Sequence, residues 1–199
     1  MSELVRALRG IIGDLDGLAD RWALVGGLAV SVRSEPRTTR DVDVAVAVPD
    51  DAAAEAVIHA LLRCGYGVVA AVEQTSTGRI GTMRLEPPRA GKAGAVVDLL
   101  FASSGIEAEV CDGADRLEVV EGIVAPVASA GHLIAMKLLS RDDDARPQDV
   151  IDLRALLQVA SQGDLAVART AIELIEGRGC ARGRDLGAAL DDVVQRFGG

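Results

Sequence analysis

The chain has 199 residues, of which 49% are hydrophobic and only 2% aromatic, and its formal net charge is −9. That length suits one compact domain, or a domain with a helical extension, and with so few rings the core must be filled by Ala, Val and Leu in closely packed helices and a valine-rich sheet. The acidic balance argues against coating a long nucleic acid and leaves room for a local basic patch that receives a nucleotide or an RNA end. Cys64, Cys111 and Cys180 are far apart and lack metal-ligand spacing, so they read as free thiols in a reducing compartment. The first twenty residues carry Glu3, Arg6, Arg9, Asp14 and Asp16, so they form no signal peptide, and no apolar run is long enough to cross a bilayer. The expected location is the cytoplasm, away from membranes.

Apolar residues at Leu4, Leu8, Ile11, Ile12, Leu15 and Leu18 recur with a helical period, which predicts a packing helix over 3–18. A short apolar run, 22–25, then stops at Gly26-Gly27 and gives way to a helix-like stretch ending near Arg33, placing both glycines at a strand-to-helix turn. Glycine lets a ligand approach the backbone closely, and the first N–H groups of the following helix point at any anion lying there. The loop 34–40 delivers Arg37 and Arg40, either of which could touch a triphosphate or serve as counter-charge to nearby carboxylates. Next comes the strict alternation Asp41-Val42-Asp43-Val44-Ala45-Val46-Ala47-Val48, which in a strand puts Asp41 and Asp43 on one face and the valines on the other. Two neighbouring carboxylates on an apolar strand repel each other and resist burial unless a cation neutralises them, and a hard divalent ion such as magnesium fits an all-oxygen site.

Asp50-Asp51 caps a predicted helix over 52–64, on which His59 has no ligand-spaced partner and reads as structural. Two β-like runs, 68–73 and 79–85, are joined by the hairpin-type connection Gln74-Thr75-Ser76-Thr77-Gly78. Arg79 and Arg84 fall on opposite faces of the second, so at most one looks toward the site. The basic loop 87–94 is either a surface connector or a passage for substrate. In 95–101 a single Asp98 stands among apolar residues and needs a partner: a metal, a helix N-terminus or an arginine. The stretch 105–127 is irregular, with a turn at Asp112-Gly113 and a short β-like run near 117–120. Helices are predicted over 129–140, 147–160, 165–176 and 184–197, with Pro147 in a first turn. The expected organisation is an α/β core over 1–127 and a helical C-terminal part over 128–199.

Gly26-Gly27 at a turn, a basic hydroxyl-rich loop, then Asp41-Val42-Asp43 on a strand together resemble the signature of the polymerase-β-like nucleotidyltransferase superfamily. The resemblance implies an α+β fold with a mixed sheet flanked by helices and a C-terminal helical part. It implies that Gly26 and Gly27 hold nucleotide phosphates, that Asp41 and Asp43 bind magnesium, and that Asp98 completes the metal site and serves as or assists the general base. The segment Gly131-His132-Leu133-Ile134-Ala135-Met136-Lys137, followed by Arg146-Pro147-Gln148-Asp149 and Asp152, is similar to the C-terminal half of AbiEii-type nucleotidyltransferases, the toxin halves of toxin–antitoxin pairs. There a helix lysine faces nucleotide phosphate, a role that falls to Lys137, although that lysine could equally pair with Asp149 or Asp152. Asp149 and Asp152, three apart, share a helix face; they could orient Lys137, aid deprotonation of an acceptor, or cap the helix. His132 reads as packed.

Together these readings predict a magnesium-dependent nucleotidyltransferase. Asp41, Asp43, Asp98, Lys137 and Asp149 form the catalytic set, Asp41, Asp43 and Asp98 hold two magnesium ions, and Gly26, Gly27, Arg40 and Lys137 bind the nucleoside triphosphate. The acceptor hydroxyl would belong to tRNA, a protein or a small molecule such as an aminoglycoside, and an antitoxin protein is a possible partner. The competing readings are a non-catalytic nucleotide- or partner-binding module on the same fold, which the carboxylate trio disfavours, and a metal-dependent phosphodiesterase, for which no evident base or histidine cluster is present.

Overall fold

The six residues Asp41–Val46 form strand β2, the middle of a seven-stranded sheet ordered β3-β4-β5-β2-β1-β7-β6. The computed structural model describes residues 2–75, 77–88, 94–142 and 147–198. Around β2 the strands are β1 (Trp22–Val25), β3 (Gly67–Glu73), β4 (Ile80–Glu86), β5 (Val96–Leu100), β6 (Asp115–Val120) and β7 (Ile123–Val127). The helices are α1 (Glu3–Leu18), α2 (Gly26–Arg33), α3 (Asp51–Arg63), α4 (Glu107–Asp112), α5 (Ala130–Ser140), α6 (Pro147–Val159), α7 (Gln162–Gly177) and α8 (Leu186–Phe197). The architecture is α+β, with a mixed sheet: β2 runs parallel to β5 and antiparallel to β1, while β7 joins β1 in parallel.

The alternation read in β2 is realised in its burial. Val42, Val44 and Val46 are fully buried, whereas Asp41 and Asp43 remain partly accessible on the opposite face. α1 is capped by the Ser2 side chain, which accepts from Val5 N–H, and buries Leu8, Ile11 and Leu15. It packs on β2, β5 and α3. α5 packs against α6, α7 and α8, and α2 touches both α5 and α6, so the aspartate strand and the C-terminal helices are joined through α2.

The segment 105–127 is far more ordered than its sequence pattern suggests. It forms α4 and the hairpin β6–β7, and β7 pairs with β1 through Leu24 and Val127, which puts it inside the main sheet. Pro126 masks the strand, since proline removes a ladder donor, and the partner strand lies about a hundred residues away in sequence. Arg33 at the end of α2 secures the join, donating to the Val127 and Ala128 carbonyls at 2.8 and 2.9 Å. Part of the basic loop 87–94, the hairpin residue Ser76, and Arg146 at the head of the α6 motif lie outside the described residues. All three cysteines are free thiols, His59 is exposed on α3, and among the described residues no helix is long and apolar enough to cross a membrane.

Candidate active site

Sheet register brings the three aspartates into one neighbourhood. Asp43 on β2 stands opposite Asp98 on β5, and Asp98 in turn stands opposite Arg84 on β4. These side chains, with Asp41, face a cleft of about 940 Å³. The cleft is closed on one side by the Gly26-Gly27 turn and the loop carrying Arg37 and Arg40, and on another by α5 and the start of α6.

Gly26 has a left-handed backbone, φ 61°, and a Cβ placed there would lie 2.0 Å from Asp43 Oδ2. A Cβ at Gly27 would meet Arg37 Nη2 at 2.6 Å and Thr39 Oγ1 at 2.8 Å. The two glycines are therefore required by how closely the β1–α2 turn approaches the carboxylate strand and its preceding loop. α2 starts here without a side-chain cap, and the Gly27 amide hydrogen-bonds the Asp43 carboxyl.

Asp43 is crowded by the carboxylates beside it. Its carboxyl is pushed up to about 6, mainly by burial and then by the neighbouring charges of Asp98 and Asp41, while Lys137 and the Gly27 amide pull it back. Asp98, 7% exposed, is gripped by Arg84, whose Nε and Nη2 donate to its two carboxylate oxygens at 2.8 and 2.6 Å. Arg84 Nη2 also lies 3.9 Å from Asp41 Oδ2. Hydrogen bonding to Asp98 raises the guanidinium pKa further, so this cation is permanent. Every donor in the trio is a carboxylate oxygen, the set that suits a hard ion such as magnesium, and the guanidinium already occupies part of the space positive charge would fill. With both Asp98 oxygens turned to Arg84, no three acidic, histidine or cysteine side chains among the described residues converge as they stand into a ligand cage.

A second set of charges lies across the cleft. Lys137 Nζ sits 2.7 Å from Asp149 Oδ1 and 2.8 Å from Asp152 Oδ2, and Arg37 Nε and Nη2 lie 2.7 and 2.8 Å from the two Asp152 oxygens. Ser140 Oγ donates to Asp149 and Gln148 Nε2 to Asp152. Burial alone would raise the Asp152 pKa, but Lys137, Arg37 and Gln148 outweigh it and hold the carboxyl below its ordinary value. Both carboxylates on α6 therefore anchor Lys137, and Asp152 also ties the loop 34–40 to the helical half of the chain. Arg40 is exposed at the rim of the cleft. His132 is buried against Ser129 Oγ at 3.0 Å, away from the cleft lining, and burial lowers its pKa.

Gly26, Gly27, Arg37, Arg40, Asp41, Asp43, Arg84, Asp98, Lys137 and Asp149 thus line one cleft and Asp152 anchors Lys137 and Arg37 beside it, whereas Arg79 turns away to pair with Asp51. Three contributors had no clear sequence signal. The Arg84–Asp98 pairing depends on strand register, the Arg37–Asp152 contact spans 115 positions, and Arg182 reaches the cleft from the α7–α8 connection.

A mixed sheet with a glycine turn beside an Asp-x-Asp strand, capped by a helix lysine, has the form of a nucleotidyltransferase, and solved structures agree on the fold. An antigenic nucleotidyltransferase-like protein from Paracoccidioides brasiliensis matches with a TM-score of 0.52 at 21% identity, covering 94% of this chain and 93% of its own. The lincosamide antibiotic adenylyltransferase LnuA, solved bound to lincomycin, matches with a TM-score of 0.51 at 16% identity, covering 78% of this chain and 97% of its own. Against curated protein sequences the chain has no match. Residues 6–196 match the family described as nucleotidyl transferase AbiEii toxin, type IV TA system. The chain belongs to this family of nucleotidyltransferase enzymes.

Proposed function

We propose that the protein transfers a nucleoside monophosphate from a nucleoside triphosphate to an acceptor hydroxyl in a magnesium-dependent reaction, as the cytoplasmic toxin of a toxin–antitoxin pair. The observation that carries this reading is the register pairing of Asp43 with Asp98, with the Gly26-Gly27 turn pressed against the first of them. Asp41, Asp43 and Asp98 would hold magnesium, which when bound neutralises charge on the triphosphate and on the attacking and leaving oxygens. The α2 N-terminus receives the β- and γ-phosphates, and Lys137, held in place by Asp149 and Asp152, adds a fixed positive charge. Arg37 and Arg40 supply guanidinium groups along the triphosphate path. Asp98, oriented by Arg84, accepts the proton of the acceptor hydroxyl. A bond forms between the acceptor oxygen and the α-phosphorus, the bond from that phosphorus to the bridging oxygen breaks, and pyrophosphate leaves. Positioning and charge neutralisation supply most of the rate.

In this reading residues 1–127 carry the metal and phosphate groups, and residues 128–199 form a helical part that delivers Lys137 and its two carboxylates. The acceptor is a hydroxyl of RNA, of a protein or of a small molecule. Incubation of each α-labelled nucleoside triphosphate with magnesium and cell extract, followed by separation into RNA, protein and small-molecule fractions, tests the reaction and sorts the acceptor. Label is expected in one fraction with the native protein and in none with Asp43→Asn. Label equal in both would refute the reading.

A further inference from the structure

Beside the reaction cleft lies a second cavity of about 620 Å³, and the two share Val72, Thr82, Ser103 and Arg182 in their walls. Sheet register fixes where it sits. The carboxylate row runs Asp43, Asp98, Arg84, Ala70 across the sheet, and the next row toward the C-terminal end of β5 runs Ala45, Leu100, Thr82, Val72. The outer end of that second row, Thr82 and Val72, floors the new cavity, whereas the Gly26-Gly27 turn follows Val25, which pairs with Asp43 at the opposite end of β2. The carboxylates thus lie between the phosphate turn and the second cavity. An in-line displacement at phosphorus requires the entering oxygen and the leaving pyrophosphate on opposite sides, and the cavity lies on the side left to the entering group.

Its chemistry narrows what can enter. Among its described lining residues the only charged groups are Glu73 and Arg182, and none is aromatic. The Gln74 carboxamide and the hydroxyls of Thr75, Thr82 and Ser103 supply the remaining side-chain polarity, so the wall offers neither rings for a stacked base nor the several carboxylates a polyamine requires. Arg182 is the single non-glycine residue with positive φ, 56°, among the described residues, and it sits between Gly179 and Gly183, at 70° and 74°. A left-handed arginine is a held conformation of the kind that gathers at binding sites. Its Nη2 donates to the Ser103 carbonyl at 3.1 Å, the same oxygen that receives Gln74 Nε2 at 3.0 Å, which pins the guanidinium at the junction of the two cavities.

Resting on the nucleotidyltransfer reading above, we propose that this cavity is the acceptor subsite and that it takes a hydroxyl-rich group bearing one anionic substituent, held by Arg182, in preference to a polyamine.

The test uses isotopically labelled full-length protein with magnesium and a non-hydrolysable α,β-methylene triphosphate, titrated with ribose 5-phosphate or with tobramycin and followed through backbone amide shifts. Ribose 5-phosphate is expected to move the amides of Gly81, Thr82 and Gly183, and Arg182→Gln to weaken that binding at least tenfold. Thr82→Val, which keeps shape and loses one hydroxyl, is expected to weaken it several-fold and decides the matter should the arginine variant fold poorly. Tobramycin moving those amides, or ribose 5-phosphate binding unchanged in both variants, overturns the proposal. The triphosphate alone separates this inference from the reading beneath it. Shifts at Gly26 and Gly27 without any sugar-phosphate response discard the acceptor subsite only, whereas no triphosphate response discards the transferase site itself.

Discussion

The cleft is built from two charged regions that obey opposite electrostatic rules. On the sheet, Asp41, Asp43 and Asp98 crowd three carboxylates around one guanidinium, and the Asp43 carboxyl is driven up to about 6. On the helices, Asp149 and Asp152 face Lys137 and Arg37, so two anions meet two cations and Asp152 is held low. A crowded, under-neutralised group is an arrangement that awaits positive charge, and a matched group is one that holds its members still. Crowded and matched carboxylates thus stand within one site, Asp41, Asp43 and Asp98 on the sheet and Asp149 and Asp152 on α6.

The largest expected effect breaks the pair of regions apart by activity. Asp43→Asn should lower nucleotidyl transfer by about a thousandfold, roughly 4 kcal/mol of transition-state stabilisation, while leaving thermal stability unchanged or slightly raised because a repelling charge has gone. Steady-state transfer rates beside thermal melts check both halves. A variant that melts far below the native protein would place Asp43 among the structural charges instead.

Asp152→Ala should do the reverse. Removing the fully buried carboxylate leaves Arg37 without its carboxylate and Lys137 with Asp149 alone, and losses of this kind cost about 3 kcal/mol. Urea unfolding should show that loss in the absence of any ligand. Lys137→Met belongs to the same experiment: it should destabilise the fold and also weaken triphosphate binding about tenfold, since its cation serves both the ladder and the cleft.

pH discriminates the regions by sign. The folded-state value of Asp43 lies above its ordinary 3.8, so the folded protein binds the extra proton between about pH 4 and 6, and stability falls as pH rises through that window. The size is on the order of 3 kcal/mol for a shift of this extent. Asp152 runs the other way, contributing stability above the ordinary carboxylate range that is lost as pH falls through its lowered folded value. Unfolding curves from pH 4 to 8 for the native protein and Asp43→Asn isolate the first slope. Added manganese should bind more tightly as pH rises through 6, because metal and proton compete for one carboxyl.

Legibility in the sequence divides along the same line. The sheet region was legible because its information is local: a period of two put Asp41 and Asp43 on one face, the double glycine marked the turn, and a lone aspartate in an apolar run announced that Asp98 needed a partner. That its partner is Arg84 was not legible, because the pairing is set by the antiparallel register of β4 on β5. The helix region was half legible. Lys137, Asp149 and Asp152 could be placed on adjacent helices, but the sequence left Arg37 and Arg40 open as triphosphate contacts or counter-charges, and only the fold brings Arg37 to a carboxylate 115 positions later. β7 escaped detection for a related reason. Its five residues include Pro126, and only the tertiary contact with β1 makes them a strand.

The smallest expected effect is a control on what makes the helix ladder matter. Arg169 on α7 and Asp191 on α8 also form an ion pair, 2.9 Å long, but their side chains are 53% and 66% exposed. Water screens both charges and solvates either one left alone, so Arg169→Ala should change stability by no more than about 0.5 kcal/mol. Lys137 and Asp152 meet at nearly the same distance, 2.8 Å, with side chains 13% and 0% exposed. If chemical denaturation returns comparable losses for Arg169→Ala and Asp152→Ala, pairing alone governs these contacts and the contrast drawn between matched and crowded charge loses its basis in burial. A several-fold larger loss at Asp152 would locate the effect in desolvation, the same factor that lifts the Asp43 carboxyl on the other side of the cleft.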